Sequence, residues 1–207
     1  MQLQNYYYWF KDAIPHHVCD DIVRYAKSIQ DEMAVTGGLG NKKLNKKEVQ
    51  DLKKKRDSDI IWLNERWIYN AIHPYIHTAN KDANWNFQWE FSEPCQFTKY
   101  KKGQYYDWHC DSWDKPYDSP NTPSHGKTRK LSVTLSLSDD KDYSGGELEF
   151  DMRNLDPDKK ANTHVLKEIR SKGSLVVFPS DVWHRVKPVK RGIRHSLVIW
   201  NLGWPFK

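Results

Sequence analysis

A chain of 207 residues that is 38% hydrophobic and 14% aromatic can bury one sizeable core, and its length favours one domain over residues 1–207. No run of 18 apolar residues occurs, and Met1 to Phe10 lacks a basic stretch leading into an apolar one, so neither a membrane-spanning helix nor a secretory leader is predicted and a cytoplasmic location is expected. Three cysteines (Cys19, Cys95, Cys110) with no C-x-x-C pair read as reduced thiols rather than a disulfide frame or thiolate metal site. The net charge of +6 leans on one stretch, Lys42 to Arg56, where eight basic residues meet two acidic ones. That stretch reads as a solvated helix or loop rather than a nucleic-acid arm.

In chain order, Phe10 to Gln30 predicts a helix entered through Pro15, with Val18, Ile22, Tyr25, Ala26 and Ile29 on one apolar stripe. Gly37, Gly38 and Gly40 break the pattern. A second helix is expected over Leu63 to Ala79, burying Trp67, Ile68, Ala71, Ile72, Tyr75 and Ile76. After Trp85, short alternating or β-branched runs punctuated by Gly, Pro and Asp predict strands. They fall near Cys95 to Tyr100, Tyr105 to Asp111, Lys130 to Ser138, Glu147 to Asp151, His164 to Arg170, Ser174 to Pro179, Trp183 to Val189 and Ile193 to Asn201. Eight strands suit a jelly roll. The expected architecture is α+β, mainly β: a β-core over 85–207 buttressed by helices in 1–84.

His109 and Asp111 stand two apart on one expected strand, so both side chains project from one face while Cys110 points away. Alone, that pair fits a hydrogen-bonded core pair as well as a metal site. Farther on, Gly173 to Pro179 runs as a buried strand through Ser180 to His184. Two imidazoles and one carboxylate form the facial ligand set of non-haem Fe(II) oxygenases, which leaves metal positions open. Arg194 and Ser196 share a face of the last strand; a planar guanidinium fork with a nearby hydroxyl suits a carboxylate. Ser132, Thr134 and Ser136 form a polar stripe that reads either as pocket lining or as the wet face of a plain strand. Gly103 and Gly145-Gly146 read as turn formers.

The sequence resembles the 2-oxoglutarate and Fe(II) dioxygenases of the prolyl 4-hydroxylase type. The resemblance lies in Gln96 to Asp111, Leu131 to Leu137, Gly145-Gly146-Glu147-Leu148-Glu149-Phe150, Gly173 to Trp200 and the entry segment Ile14 to Asp20. It implies a double-stranded β-helix with iron on His109, Asp111 and His184. It also implies 2-oxoglutarate chelating that metal, with Tyr100 as a hydrogen-bonding partner of the co-substrate and Arg194 and Ser196 on its distal carboxylate. Succinate and CO2 would be co-products, and ascorbate an accessory.

For the substrate, the segment Ser112 to Arg129, rich in Pro, Asp, Ser and aromatics, is expected to form a mobile lid over the mouth and favours an extended, proline-containing protein or peptide. Small-molecule or other side-chain oxidation is the runner-up. A nucleic-acid demethylase of the AlkB kind would carry a second arginine six residues after Arg194, where this chain has Trp200. A non-catalytic jelly-roll module requires a broken ligand set, and a zinc hydrolase would leave the buried arginine unexplained.

Overall fold

The computed structural model describes residues 5–29, 32–33, 50, 53–112, 115–152, 160 and 162–206. The first strand, β1 (Tyr8–Phe10), is followed by α1 (His16–Lys27). Pro15 fits the helix entry because its carbonyl accepts from the amides of Val18 and Cys19 while its own missing N–H costs nothing there. Three short strands come next: β2 (Glu32–Met33), β3 (Arg56–Asp57) and β4 (Asp59–Leu63). The second helix, α2 (Arg66–Asp82), ends where Asn84 and Asn86 take positive φ and the Asn80 side chain clamps the Phe87 backbone.

The β-core follows: β5 (Phe91–Ser92), β6 (Cys95–Tyr100), β7 (Tyr105–His109), β8 (Thr128–Ser136), β9 (Tyr143–Gly145) and β10 (Leu148–Asp151). It closes with β11 (Thr163–Val165), β12 (Leu175–Pro179), β13 (His184–Val186), β14 (Val189–Gly192) and β15 (Arg194–Gly203). A major sheet runs β1-β12-β8-β15-β6-β4-β2, with β5 also on β15; a minor sheet runs β11-β10-β13-β7-β3; β14 and β9 form a ribbon. All the pairings are antiparallel, giving the double-stranded β-helix that the strand count predicts.

Alternation along the major sheet sorts its two faces. Leu131, Val133 and Leu135 of β8, with Leu197 and Ile199 of β15, pack against Ile22 and Ala26 of α1 and Ile68, Ile72 and Ile76 of α2. The opposite face looks into the space between the sheets, where Tyr100, Val176 and Phe178 meet Leu148, Phe150 and Val186. Ser132, Thr134 and Ser136 are all buried on that inner face, so the wet-face reading of the polar stripe is wrong. Ser132 Oγ meets Ser180 Oγ at 2.9 Å, and Ser136 donates to the carbonyls of Ser138 and Arg170.

Several boundaries differ from expectation. The first helix is shorter than Phe10 to Gln30, because Phe10 pairs in β1 and Ile29 lies past the helix end and is exposed. In α2, Ala79 joins the buried face and Trp67 is exposed instead. The helical half also contributes β1 to β4. The strand expected over Trp183 to Val189 splits at Pro188, and of the His164 to Arg170 strand only His164 and Val165 pair, in a strand that begins at Thr163. Beyond the undescribed 113–114, the expected lid closes on itself through backbone bonds between Tyr117 and both Gly126 and Lys127. Most of the basic stretch lies outside the described residues; 53–55 are exposed, but Arg56 is buried.

Because Ile72 is fully buried between α2 and the sheet, Ile72→Ala should lower stability by about 2–5 kcal/mol. Urea unfolding checks this; a midpoint unchanged from the parent would mean that the helix does not pack as described.

Candidate active site

His109 closes β7 and His184 opens β13, and the two are direct cross-strand partners. The same ladder pairs Val186 with Tyr106, so three steps on β7 oppose two on β13. This bulge re-aims His109, leaving Tyr106 and His109 stacked with ring centroids 3.5 Å apart and 13° between planes. Asp111 lies beyond the strand end rather than within it. It returns to His109 because the amides of Asp111 and Ser112 both donate to the Ser180 carbonyl at 2.8 Å.

The ligand-type atoms of His109, Asp111 and His184 lie within 4.8 Å of one another. His109 Nε2 is 3.8 Å from Asp111 Oδ1 and His184 Nε2 is 3.6 Å from Asp111 Oδ2, both too long for hydrogen bonds. On the far side of each ring, Nδ1 sits 2.7 Å from the Asp107 carbonyl and 3.0 Å from the Val182 carbonyl, respectively. A carbonyl only accepts, so each Nδ1 carries the proton and each Nε2 turns a lone pair inward. Asp111 is 6% exposed and its Oδ2 has no hydrogen-bond partner.

Burial, with the neighbouring His184, pushes His109 down to about 3. Burial alone would raise the Asp111 carboxyl, but the combined fields of His184, His109 and Arg129 hold it below the usual carboxylate range. Two imidazole nitrogens, aimed inward by their Nδ1 hydrogen bonds, and one carboxylate thus converge on one point. A divalent cation fits this donor set: two imidazole nitrogens and one carboxylate leave coordination positions open. Phe178 meets the His184 ring edge-on at 4.8 Å and fixes it from behind.

Deeper in the cleft, Arg194 begins β15 opposite Tyr100 of β6 and is 4% exposed. Its Nη1 donates to Ser196 Oγ at 3.1 Å, and its Cζ lies 5.5 Å from the Tyr100 ring centroid. Gly146, at φ +63°, leaves room for this side chain: a Cβ there would stand 3.0 Å from Arg194 Cδ. Among the described residues no carboxylate pairs with Arg194, so a buried cation awaits an anion. The structure thus groups His109, Asp111 and His184 at one point, and sets Tyr100, Arg194 and Ser196 together on the inner face of the major sheet, which Thr134 shares.

Other groups escaped the sequence reading. Arg129 forms a two-pronged pair with Glu93, at 3.1 and 2.5 Å, and lies 3.8 Å over the Trp200 ring. Tyr106 was hidden by the bulge, which breaks the two-residue period that would have exposed it. Arg56 was hidden inside the basic stretch.

With this geometry established, the sequence matches the 2OG-Fe(II) oxygenase superfamily over residues 95–201. The chain belongs to that family. Among similar curated proteins, a PKHD-type hydroxylase of Pseudoalteromonas atlantica is 34% identical over 109 residues, covering 52% of this chain and 42% of that protein. One of Synechococcus is 37% identical over 99 residues, covering 47% and 36%. The chain therefore spans less than half the length of these relatives. Its fold matches a prolyl-4-hydroxylase of Pseudomonas putida with a TM-score of 0.64 and 19% identity, over 96% of this chain and 92% of that one. It also matches a viral collagen prolyl hydroxylase of Paramecium Bursaria Chlorella virus-1, crystallised with 2-oxoglutarate, with a TM-score of 0.64 and 18% identity over 97% of both chains.

Metal binding should show as thermal stabilisation, about 2.7 kcal/mol when Mn(II) is present at a hundredfold excess over its dissociation constant. Asp111→Ala should abolish that gain in a melting experiment with Mn(II); an undiminished shift would remove Asp111 from the site.

Proposed function

We propose that the protein hydroxylates a prolyl residue of a protein or peptide, using Fe(II), 2-oxoglutarate and O2. The observation that carries this reading is the grouping of two inward-aimed imidazoles with one carboxylate, together with a buried Arg194, without a carboxylate among the described residues, on the inner face of the facing sheet. In this reading His109, Asp111 and His184 hold the metal. Bound Fe(II) supplies the oxidising chemistry, with one oxygen atom of O2 entering the substrate and the other leaving in succinate as 2-oxoglutarate loses CO2.

The residues of this chain supply position. The Arg194 fork and the Ser196 hydroxyl donate to the distal carboxylate of 2-oxoglutarate, and the Tyr100 hydroxyl adds a further donor. The two Nδ1 hydrogen bonds to backbone carbonyls keep both imidazoles aimed inward. Phe150 and Phe178 wall the cleft behind His184 and exclude water. A substrate reaching the site would meet the exposed Trp62, which lies against the buried Trp200 on which Arg129, paired with Glu93, is stacked.

Ascorbate as an accessory reductant, residues 1–207 as one domain and a cytoplasmic location complete the proposal. The location is supported by Cys19, Cys95 and Cys110, none of which forms a disulfide. No helix among the described residues is long and apolar enough to cross a membrane.

The reading is tested by incubating iron-loaded protein with 2-oxoglutarate and proline-containing peptides and following peptide mass and succinate. A gain of one oxygen is expected; succinate released with no oxygen on any prolyl peptide would move the substrate elsewhere. Arg194→Ala should raise the KM for 2-oxoglutarate about 10- to 100-fold, the worth of a hydrogen-bonded charge. An unchanged KM would place the anchor at another residue.

A further inference from the structure

Arg56 is a second buried cation in the cleft for which, among the described residues, no carboxylate partner exists. It is 5% exposed, its Nε donates to Ser58 Oγ at 3.0 Å, and its Nη2 donates to Gln96 Oε1 at 2.5 Å. Both acceptors are neutral. Its Cζ lies 4.6 Å over the Tyr106 ring, whose other neighbour is His109 at 3.5 Å. Ring and guanidinium thus form a short stack running outward from one ligand of the metal site. A buried guanidinium without an anion is costly unless a ligand provides one.

The charges of the cleft assign that ligand. Glu93 already holds Arg129. In the proposed function the distal carboxylate of 2-oxoglutarate is held by Arg194, which comes from the major sheet. Arg56 comes from β3, the edge strand of the minor sheet, and reaches across to Gln96. The cross-strand neighbour of Gln96 is Trp62, 43% exposed and in contact with Trp200, so this end of the cleft opens to solvent. Trp62 is thus the exposed side chain beside the Arg56–Gln96 pair on this inner face.

We propose that Arg56, positioned by Ser58 and Gln96, is the anion site for the prime substrate, and that the residue oxidised carries its own free carboxylate, as a free amino acid or a C-terminal residue does. The inference rests on the oxygenase reading above; for a C-terminal prolyl residue it narrows the substrate class, and for a free amino acid it replaces the peptide part of that reading. The stack dictates the narrow choice. Only one ring separates Arg56 from His109, so a carboxylate on the guanidinium leaves space for just a few bonds to a carbon held beside that ligand. The side-chain carboxylate of a neighbouring residue in an extended peptide is more bonds away. A planar fork with two donors already committed to neutral acceptors still presents its remaining N–H groups to a carboxylate.

The test is a tryptophan-fluorescence titration of the protein loaded with Mn(II) and 2-oxoglutarate. The probes are the L-amino acids with L-proline first, their C-terminal amides, and glycyl-L-proline with a free or amidated terminus. At least one acid should bind about tenfold or more tighter than its amide, the worth of a charged hydrogen bond. That preference should collapse in Arg56→Gln. It should also collapse in Gln96→Glu, which is nearly isosteric, supplies Arg56 with an internal carboxylate, and serves where Arg56→Gln fails to fold. The dissociation constant of 2-oxoglutarate should stay within about threefold in both variants.

Three results overturn the proposal: no acid preferred to its amide, a preference that survives both substitutions, or 2-oxoglutarate affinity falling as far as that of the acid. The last would assign Arg56 to the co-substrate. Failure of the oxygenase reading looks different, since the Mn(II)-loaded parent protein would then bind no 2-oxoglutarate at all.

Discussion

The Asp111 carboxylate is held almost out of water with one oxygen lacking a hydrogen-bond partner, and the minor sheet is arranged around it. A bare buried carboxylate of this kind is costly, and in isolation it would take up a proton. Here the fields of His184, His109 and Arg129 outweigh burial and hold the carboxyl below its usual range. The two imidazoles cannot reach it as donors, because their protons are fixed on the far nitrogens by the Asp107 and Val182 carbonyls. The Ser180 carbonyl pins the backbone of Asp111 and Ser112, and the Tyr106 and Phe178 rings hold the imidazoles from outside. The folded chain carries an electrostatic deficit that a divalent cation removes, so metal affinity and fold stability are linked.

The same economy explains the two faces of the major sheet. Facing the helices, its strands present Leu, Ile, Val and Phe, and the helices cover them. Facing the minor sheet, they present Gln96, Thr98, Tyr100, Ser132, Thr134, Ser136, Arg194 and Ser196, all buried. An inward face of that composition makes a poor core. Its hydroxyls bond to one another and to nearby carbonyls, while its guanidinium is left over. The polarity is stable because the apolar mass on the helical side carries the burial, and the cleft between the sheets is free to be shaped by ligand chemistry.

How legible this was from the sequence depended on whether a local period survived. The strands Cys95 to Tyr100 and Ile193 to Asn201 follow from alternating or β-branched runs and Ser174 to Pro179 from an unbroken apolar run; the shared face of Arg194 and Ser196 follows from the two-residue period, whereas Tyr100 comes from the family resemblance. The apolar stripes of both helices likewise located Ile22, Ala26, Ile68, Ile72 and Ile76. The period failed at the edges of the site. Asp111 faces His109 through a turn tied to Ser180, so its expected position was right although the expected strand was too long. Tyr106 became a neighbour of His109 only through a bulge, and a bulge has no period to read. Short strands such as β3 and β4 lie in a half of the chain whose longer signals are helical.

Arg56 shows the limit most clearly. By composition it is the last residue of a basic stretch, and composition assigns such stretches to solvent. Its burial is decided by two contacts remote in sequence, the Gln96 amide on another sheet and the Tyr106 ring across the ladder. The neighbouring lysines at 53–55 remain exposed, as composition suggests. One step along the chain therefore separates a solvated cation from one that shapes the cleft. What distinguishes them is strand pairing: β3 starts at Arg56, and its register with Tyr106 turns that side chain inward. Arg194 and Arg56 then differ in origin but share a physical condition, a desolvated guanidinium bonded only to neutral oxygens. In a cleft whose third arginine is already neutralised by Glu93, that shared condition argues for two anionic groups arriving with ligands.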